Sequence, residues 1–200
     1  MTYDEVPELH FITPVANLPS ILEHGVLSNH LARKLVPDAA SVARADIQEG
    51  REGKRVPGGG PLHGYANLYF HARNPMMYLR QAEHASLCVL SVHKAVLTLE
   101  NAIVTDQNAA SDYARFSPSP AGLRFLDKAM VYALDWRHDD PRAFYRHRSV
   151  KCAETLVPNR VRPEAVRGVY VSCRAAQDRV QALVPGSIKV KASPNLFFQS

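Results

Sequence analysis

Apolar runs in this chain are short. The longest, such as Leu87–Val92, are strand-sized and far below the roughly 20 residues that cross a bilayer. Between them, 14 prolines and 10 glycines cut the chain into brief elements. Neither a heptad repeat nor a low-complexity tract is present, which argues against coiled coil, collagen and disorder. With 46% of its 200 residues apolar, the chain can bury a core, and one globular domain over residues 1–200 is expected. The opening MTYDEVPELH lacks the basic and apolar regions of a leader, so a cytoplasmic protein with no membrane anchor is expected.

Alternation and capping signals place the elements. Residues 9–13 read as a strand that Pro14 ends, and Asn17 opens a helix closed by Gly25. Residues 31–62 lose periodicity. They form a long basic loop with a helical patch near residues 39–48, and loops of that length are more often functional than idle. Residues 67–72 alternate as a strand, and Asn74-Pro75 starts a helix. Residues 102–105 form another strand, 111–122 a loop and 123–133 a helix. Asp140-Pro141 starts the next helix, and residues 151–157, 169–173 and 187–191 are strands. The mixture lacks regular strand-helix-strand repetition, so the class is α+β rather than doubly wound.

Familiar chemistry is mostly missing. Gly58-Gly59-Gly60 runs into Pro61, not into the Lys-Ser/Thr of a phosphate loop, and no dinucleotide fingerprint follows a strand. Three unspaced cysteines give no disulfide frame and no thiolate zinc site, and His138-Asp139-Asp140 reads as a helix start rather than a metal site. A net charge of +5 suits a polyanionic partner without requiring one. Two residues stand out. Arg51 lies in the glycine-spaced basic loop, and Glu154 sits in an otherwise apolar strand. On residue type alone Glu154 reads first as a solvated edge residue, because carboxylates are mostly exposed; a cleft is the other reading.

Four segments then add a resemblance. They are F-I-T-P-V-A-N-L-P-S-I-L-E-H-G-V-L-S (residues 11–28), I-Q-E-G-R-E-G-K-R-V-P-G-G-G-P-L-H-G-Y (47–65), Y-F-H-A-R-N-P-M-M-Y (69–78) and K-C-A-E-T-L-V-P (151–158). In this order and spacing they resemble the DarT family of DNA ADP-ribosyltransferase toxins. The resemblance implies the ADP-ribosyltransferase fold, two small packed sheets with a cleft for NAD+ as co-substrate, and no metal. It also implies transfer of ADP-ribose to guanine or thymine in single-stranded DNA, release of nicotinamide and a block to replication. A cognate antitoxin, a glycohydrolase of DarG or NADAR type, would be the partner.

Carried over, NAD+ contacts fall on Phe11, Ile12, Thr13, Ser20, Ser28 and Arg51, and catalysis on Arg51 and Glu154. Residues 105–153 would present the nucleic acid. Lys54, Arg55, Arg73, Arg115, Arg124, Arg146, Arg148 and Lys151 are candidates to track phosphates, and Tyr65 or Tyr113 to stack on bases. Two departures matter. F-I-T-P replaces the family's H-I-T-H, so the imidazole contact is absent or comes from His10. G-Y-A-N-L-Y-F (64–70) replaces D-Y-V-P-F-Y-F, which tilts the expected base toward guanine. Transfer to RNA or protein on the same fold, and a non-catalytic nucleic-acid-binding module, are the alternatives.

Overall fold

A computed structural model describes residues 1–37 and 50–200. The helical patch expected near residues 39–48, and Arg44 with it, lies outside the described residues. An eight-stranded sheet has the order β10-β9-β4-β1-β3-β7-β5-β6, and a small second sheet pairs β2 with β8. The strands are β1 (Leu9–Pro14), β2 (Val26–Leu27), β3 (Tyr65–Tyr69), β4 (Leu87–Val92), β5 (Ile103–Thr105), β6 (Phe116–Pro118), β7 (Glu154–Pro158), β8 (Arg160–Val161), β9 (Val166–Val171) and β10 (Lys189–Ala192). The class is α+β as expected, but the two sheets are unequal: one dominates and the other is a single strand pair. All pairings are antiparallel except β9 with β10.

The helices are α1 (Leu18–His24), α2 (Asn29–Leu35), α3 (Pro75–Leu79), α4 (Lys128–Tyr132), α5 (Pro141–Val150) and α6 (Arg174–Gln181). Local signals explain most of their starts. Asn74 accepts from the Met77 amide at 3.1 Å ahead of Pro75, and Asp140 accepts from Arg142 and Ala143 ahead of Pro141. Helix α2 starts just before the stretch read as loop and runs into it, because Ser28 caps it by accepting from Leu31 at 3.2 Å. The helix expected over residues 123–133 is broken in two. A 3-10 turn at Ala121–Phe125 ends before Asp127, whose side chain caps α4. Strand β6 forms within the segment read as loop, and α6 carried no recognised signal.

Gly25 is where the small sheet meets α1. Its φ is +86°, and a Cβ there would lie 2.1 Å from the Val161 carbonyl oxygen, so only glycine closes this turn. The main sheet separates two apolar layers. Leu9, Leu68, Phe70 and Leu90 belong to the larger core on one side, while Ile12, Tyr69, Met77, Val89 and Phe197 pack on the other. Burying an aliphatic side chain of this size contributes about 1.5–3 kcal/mol, so β1, β3 and β4, buried on both faces, anchor the platform.

Candidate active site

Strand register brings the site together. Across the sheet His10 faces Tyr69, Tyr69 faces Glu154 and Glu154 faces Thr105. Directly paired residues project to the same face, so Glu154 shares its face with Tyr69 and Ile12. Strand β7 is central rather than at an edge, and Glu154 is only 1% exposed. The edge reading of Glu154 is therefore replaced by the cleft reading. Its backbone is pinned by Thr105, whose Oγ1 accepts from the Glu154 amide at 3.2 Å and donates to its carbonyl at 3.3 Å.

Arg51 lies in a helical stretch at residues 50–52 and meets the carboxylate with both prongs of its guanidinium. Nη1 donates to Oε1 and Nη2 to Oε2, each at 3.1 Å, and the Arg51 side chain is about 10% exposed. The Ala109 amide also donates to Oε1, at 3.3 Å. Oε1 thus accepts two hydrogen bonds and Oε2 accepts one among the described residues. Oε2 keeps acceptor capacity, and Arg51 has three further N–H donors beyond the two it spends. Burial works against the charged guanidinium, but the facing Glu154 carboxylate outweighs it and raises the Arg51 pKa above its usual value. Burial, reinforced by the Glu154 charge, pushes the Tyr69 hydroxyl well above the usual tyrosine range and the Cys152 thiol up to about 12. Neither is an anion at neutral pH. Cys152 is a packed small side chain.

The expected NAD+ residues divide. Ile12 packs on the face that carries Glu154. Phe11 and Thr13 alternate to the other face, where Thr13 is 2% exposed and accepts from Asn17 at 3.1 Å. Only their backbone could face a ligand on the Glu154 side. Ser20 is half-buried on α1, and Ser28 is buried as the α2 cap. His10 does not supply the missing imidazole. It is 4% exposed, with Nδ1 on the Phe70 carbonyl and Nε2 on Glu8, at 3.3 and 3.2 Å.

The basic candidates divide as well. Lys151 is a correction: it is 1% exposed, and its ammonium group donates to the carbonyls of Val131 and Ala133 and to His71 Nδ1, at 2.9, 2.7 and 2.8 Å. It clamps the end of α4 to the segment ahead of Glu154 and cannot reach a phosphate. Arg73 is also committed, bonding the Leu134 and Asn195 carbonyls beneath Phe198. Tyr65 is held through its hydroxyl by the Gly60 amide. Tyr113, Arg146 and Arg148 are exposed, and Arg115 and Arg124 stack on Phe125, at 4.4 and 4.7 Å. Beside the loop that gives Ala109 to Glu154 lies a cavity of about 740 Å³, lined among others by Tyr113, Phe125, Arg142, Tyr145 and Arg146. Asp106 and Asp127 also line it, so its aromatic rings and guanidinium groups suit stacked bases with phosphates held at the arginines rather than throughout.

Two contributors escaped the sequence reading. The Ala109 amide has no side-chain signature, so no residue pattern could announce it. His63 sits within the segment 47–65, is 3% exposed, and is tied to Arg51 through the Leu62–Lys54 and Lys54–Arg51 backbone hydrogen bonds. Among the described residues no group of three metal-ligating side chains occurs, and no helix is long and apolar enough to cross a membrane.

Comparison with known proteins identifies the family and the fold. A family profile described as "DarT: ssDNA thymidine ADP-ribosyltransferase, DarT" matches residues 10–198. A DNA ADP-ribosyl transferase of Thermus sp. (strain 2.9) is 34% identical over 170 residues, covering 78% of this chain and 77% of the relative. A DNA ADP-ribosyl transferase-DNA ADP-ribosyl glycohydrolase fusion protein of Thermosipho africanus is 29% identical over 196 residues, covering 96% of this chain. The chain spans about half (49%) of that fusion protein's length. Among solved structures, Thermus sp. 2.9 DarT in complex with ADP-ribosylated ssDNA superposes with a TM-score of 0.83 at 25% identity, covering 99% of both chains.

Proposed function

The chain belongs to the DarT family, and from that premise we propose that it transfers ADP-ribose from NAD+ to a thymine in single-stranded DNA. The family's description names thymidine, and this outweighs the tilt toward guanine drawn from residues 64–70. The observation that carries the proposal is the buried Arg51–Glu154 fork, made by residues far apart in sequence on the inner face of the sheet.

The reaction breaks the bond between nicotinamide nitrogen and ribose C1′, and nicotinamide leaves with the bonding electrons. A base nitrogen then bonds C1′ and loses its proton. Positive charge builds on the ribose as the bond breaks, and a fixed carboxylate beside it stabilises that charge. Glu154 fits this role because Oε2 can accept a ribose hydroxyl without breaking the pair with Arg51. Arg51 holds the carboxylate plane, and its remaining N–H groups, unspent among the described residues, can donate to an oxygen of NAD+; a lysine has no planar fork with which to do both. Ile12 and the backbone of Phe11 and Thr13 would wall the NAD+ cleft, with Ser20 and Ser28 at its far side. The cavity beside Ala109 would hold the DNA strand. Because Ala109 donates to the carboxylate from the same loop whose Gln107 and Ser111 line the cavity, strand binding and the reacting centre would meet at one loop.

One domain would thus carry both sites and work in the cytoplasm, where NAD+ and single-stranded DNA coexist. An antitoxin glycohydrolase is the expected counterpart, since the fusion relative carries such an activity in its name. Nicotinamide release from labelled NAD+ tests the reading, with single-stranded DNA, duplex DNA, RNA and protein offered separately. Release stimulated by single-stranded DNA alone is expected; stimulation by RNA or protein alone would reassign the acceptor.

A further inference from the structure

His63 is buried, polar and incompletely used. It lies in a 3-10 turn, Leu62–Gly64, and its Nε2 has no hydrogen-bond partner among the described residues. Buried polar atoms are normally paired, and leaving one unpaired is costly unless something else completes it.

Its place in the fold shows what that is. On one side the Leu62 amide donates to the Lys54 carbonyl at 2.8 Å, and the Lys54 amide donates to the Arg51 carbonyl at 3.2 Å. On the other, the Gly64 carbonyl accepts from Asn159, whose own carbonyl accepts from Ser28, at 2.9 and 2.7 Å. The turn is therefore strung between Arg51 and the Ser28 cap of α2. The neighbours are mainly cationic or imidazole groups. The His30 ring stands edge-on at 5.8 Å, and after burial the charges of Arg51, His30 and Arg33 hold the His63 pKa below its usual value, with exposed Glu52 opposing them. His30 and Arg33 are themselves exposed. A neutral imidazole N–H set among cations lacks one kind of partner, an anionic acceptor.

We propose that His63 binds NAD+ directly, its Nε2–H donating to a pyrophosphate oxygen held jointly with Arg51 and Arg33. The proposal rests on NAD+ being the co-substrate. His63 is then a binding residue that sets affinity for the phosphate-bearing part of the molecule, while bond breaking stays with Glu154.

Amide replacements separate the two ring nitrogens. Glutamine puts an N–H near the Nε2 position; asparagine reaches only as far as Nδ1. By calorimetry, His63→Asn should weaken ADP-ribose binding about ten- to hundredfold, the range for one hydrogen bond to a charged group. It should raise the KM for NAD+ in parallel with little change in kcat. His63→Gln should recover most of the loss. Wild-type affinity in a folded His63→Asn variant would overturn the proposal. Wild-type protein that binds neither NAD+ nor ADP-ribose would overturn the functional reading itself, a distinct outcome. Should both variants misfold, the wild type decides: its His63 Nε2 ¹⁵N resonance must move on adding ADP-ribose, and an unmoved resonance rejects the contact.

Discussion

Removing both halves of the Arg51–Glu154 fork should destabilise the protein far less than the two single removals added together. Glu154→Ala leaves a guanidinium about 90% buried without its counter-charge and strips the Ala109 amide of its acceptor. Arg51→Ala leaves a carboxylate that is 1% exposed with the Ala109 amide as its one partner among the described residues. Breaking a buried pair from one side costs about 3–5 kcal/mol, mostly for the stranded charge. For a domain of this size each kcal/mol lowers Tm by roughly 2–4 °C, so each single variant should lose about 6–20 °C. The double variant strands neither charge. Its loss should fall well below the sum of the singles, a coupling of several kcal/mol in a double-mutant cycle. Urea denaturation and thermal melts of the four proteins measure it. Additive losses, or single variants as stable as the wild type, would refute the claim that the fork is one buried electrostatic unit. All three variants should also lose transfer activity by about 10²–10³-fold or more, the scale of a lost charge-stabilising contact.

Other consequences follow from the same fold. Burial and the charge of Lys151 hold the His71 pKa down at about 3, so the unfolded chain binds that proton first as pH falls. Stability should therefore be fully present above about pH 6.5 and be lost from there down toward pH 3; His71→Asn, which keeps an acceptor near the Nδ1 position for Lys151, should flatten that part of the stability–pH curve. Tyr113→Ala and Arg146→Ala should each raise the KM for an oligonucleotide, by about 1–3 kcal/mol for a lost stacking ring, without altering ADP-ribose affinity; equal effects on both ligands would argue against the cavity as the DNA site. Gly25→Ala should lower Tm sharply, since its Cβ would collide with the Val161 carbonyl and the positive φ disfavours alanine; an unchanged melt would contradict the tight turn.

Legibility in the sequence followed the range of the forces involved. Elements set by local chemistry were readable: Asn74-Pro75 and Asp140-Pro141 start helices where their side chains cap the first turn, and Leu87–Val92 is the strand its apolar run announces. Misreadings occurred where a competing local cap or a distant partner decides. Leu123 and its neighbours carry a helical pattern, but Asp127 recruits the chain into a second start. Lys151 looked like a phosphate ligand because nothing local reveals that the Val131 and Ala133 carbonyls and His71 will enclose it. Glu154 looked like an edge acid until strand order placed β7 between β3 and β5. Arg51 and Glu154 stood out by residue type and setting, and resemblance supplied their roles; their direct contact is a property of the fold, as is the orphaned nitrogen of His63.

The mass of a short single-stranded oligonucleotide after incubation with the protein and NAD+ tests the central claim most directly. The account predicts a gain of one ADP-ribose, mapped by fragmentation to a thymine and absent with Glu154→Ala. An unchanged mass with active, folded protein would contradict DNA transfer, and a label mapped to guanine would contradict the choice of base.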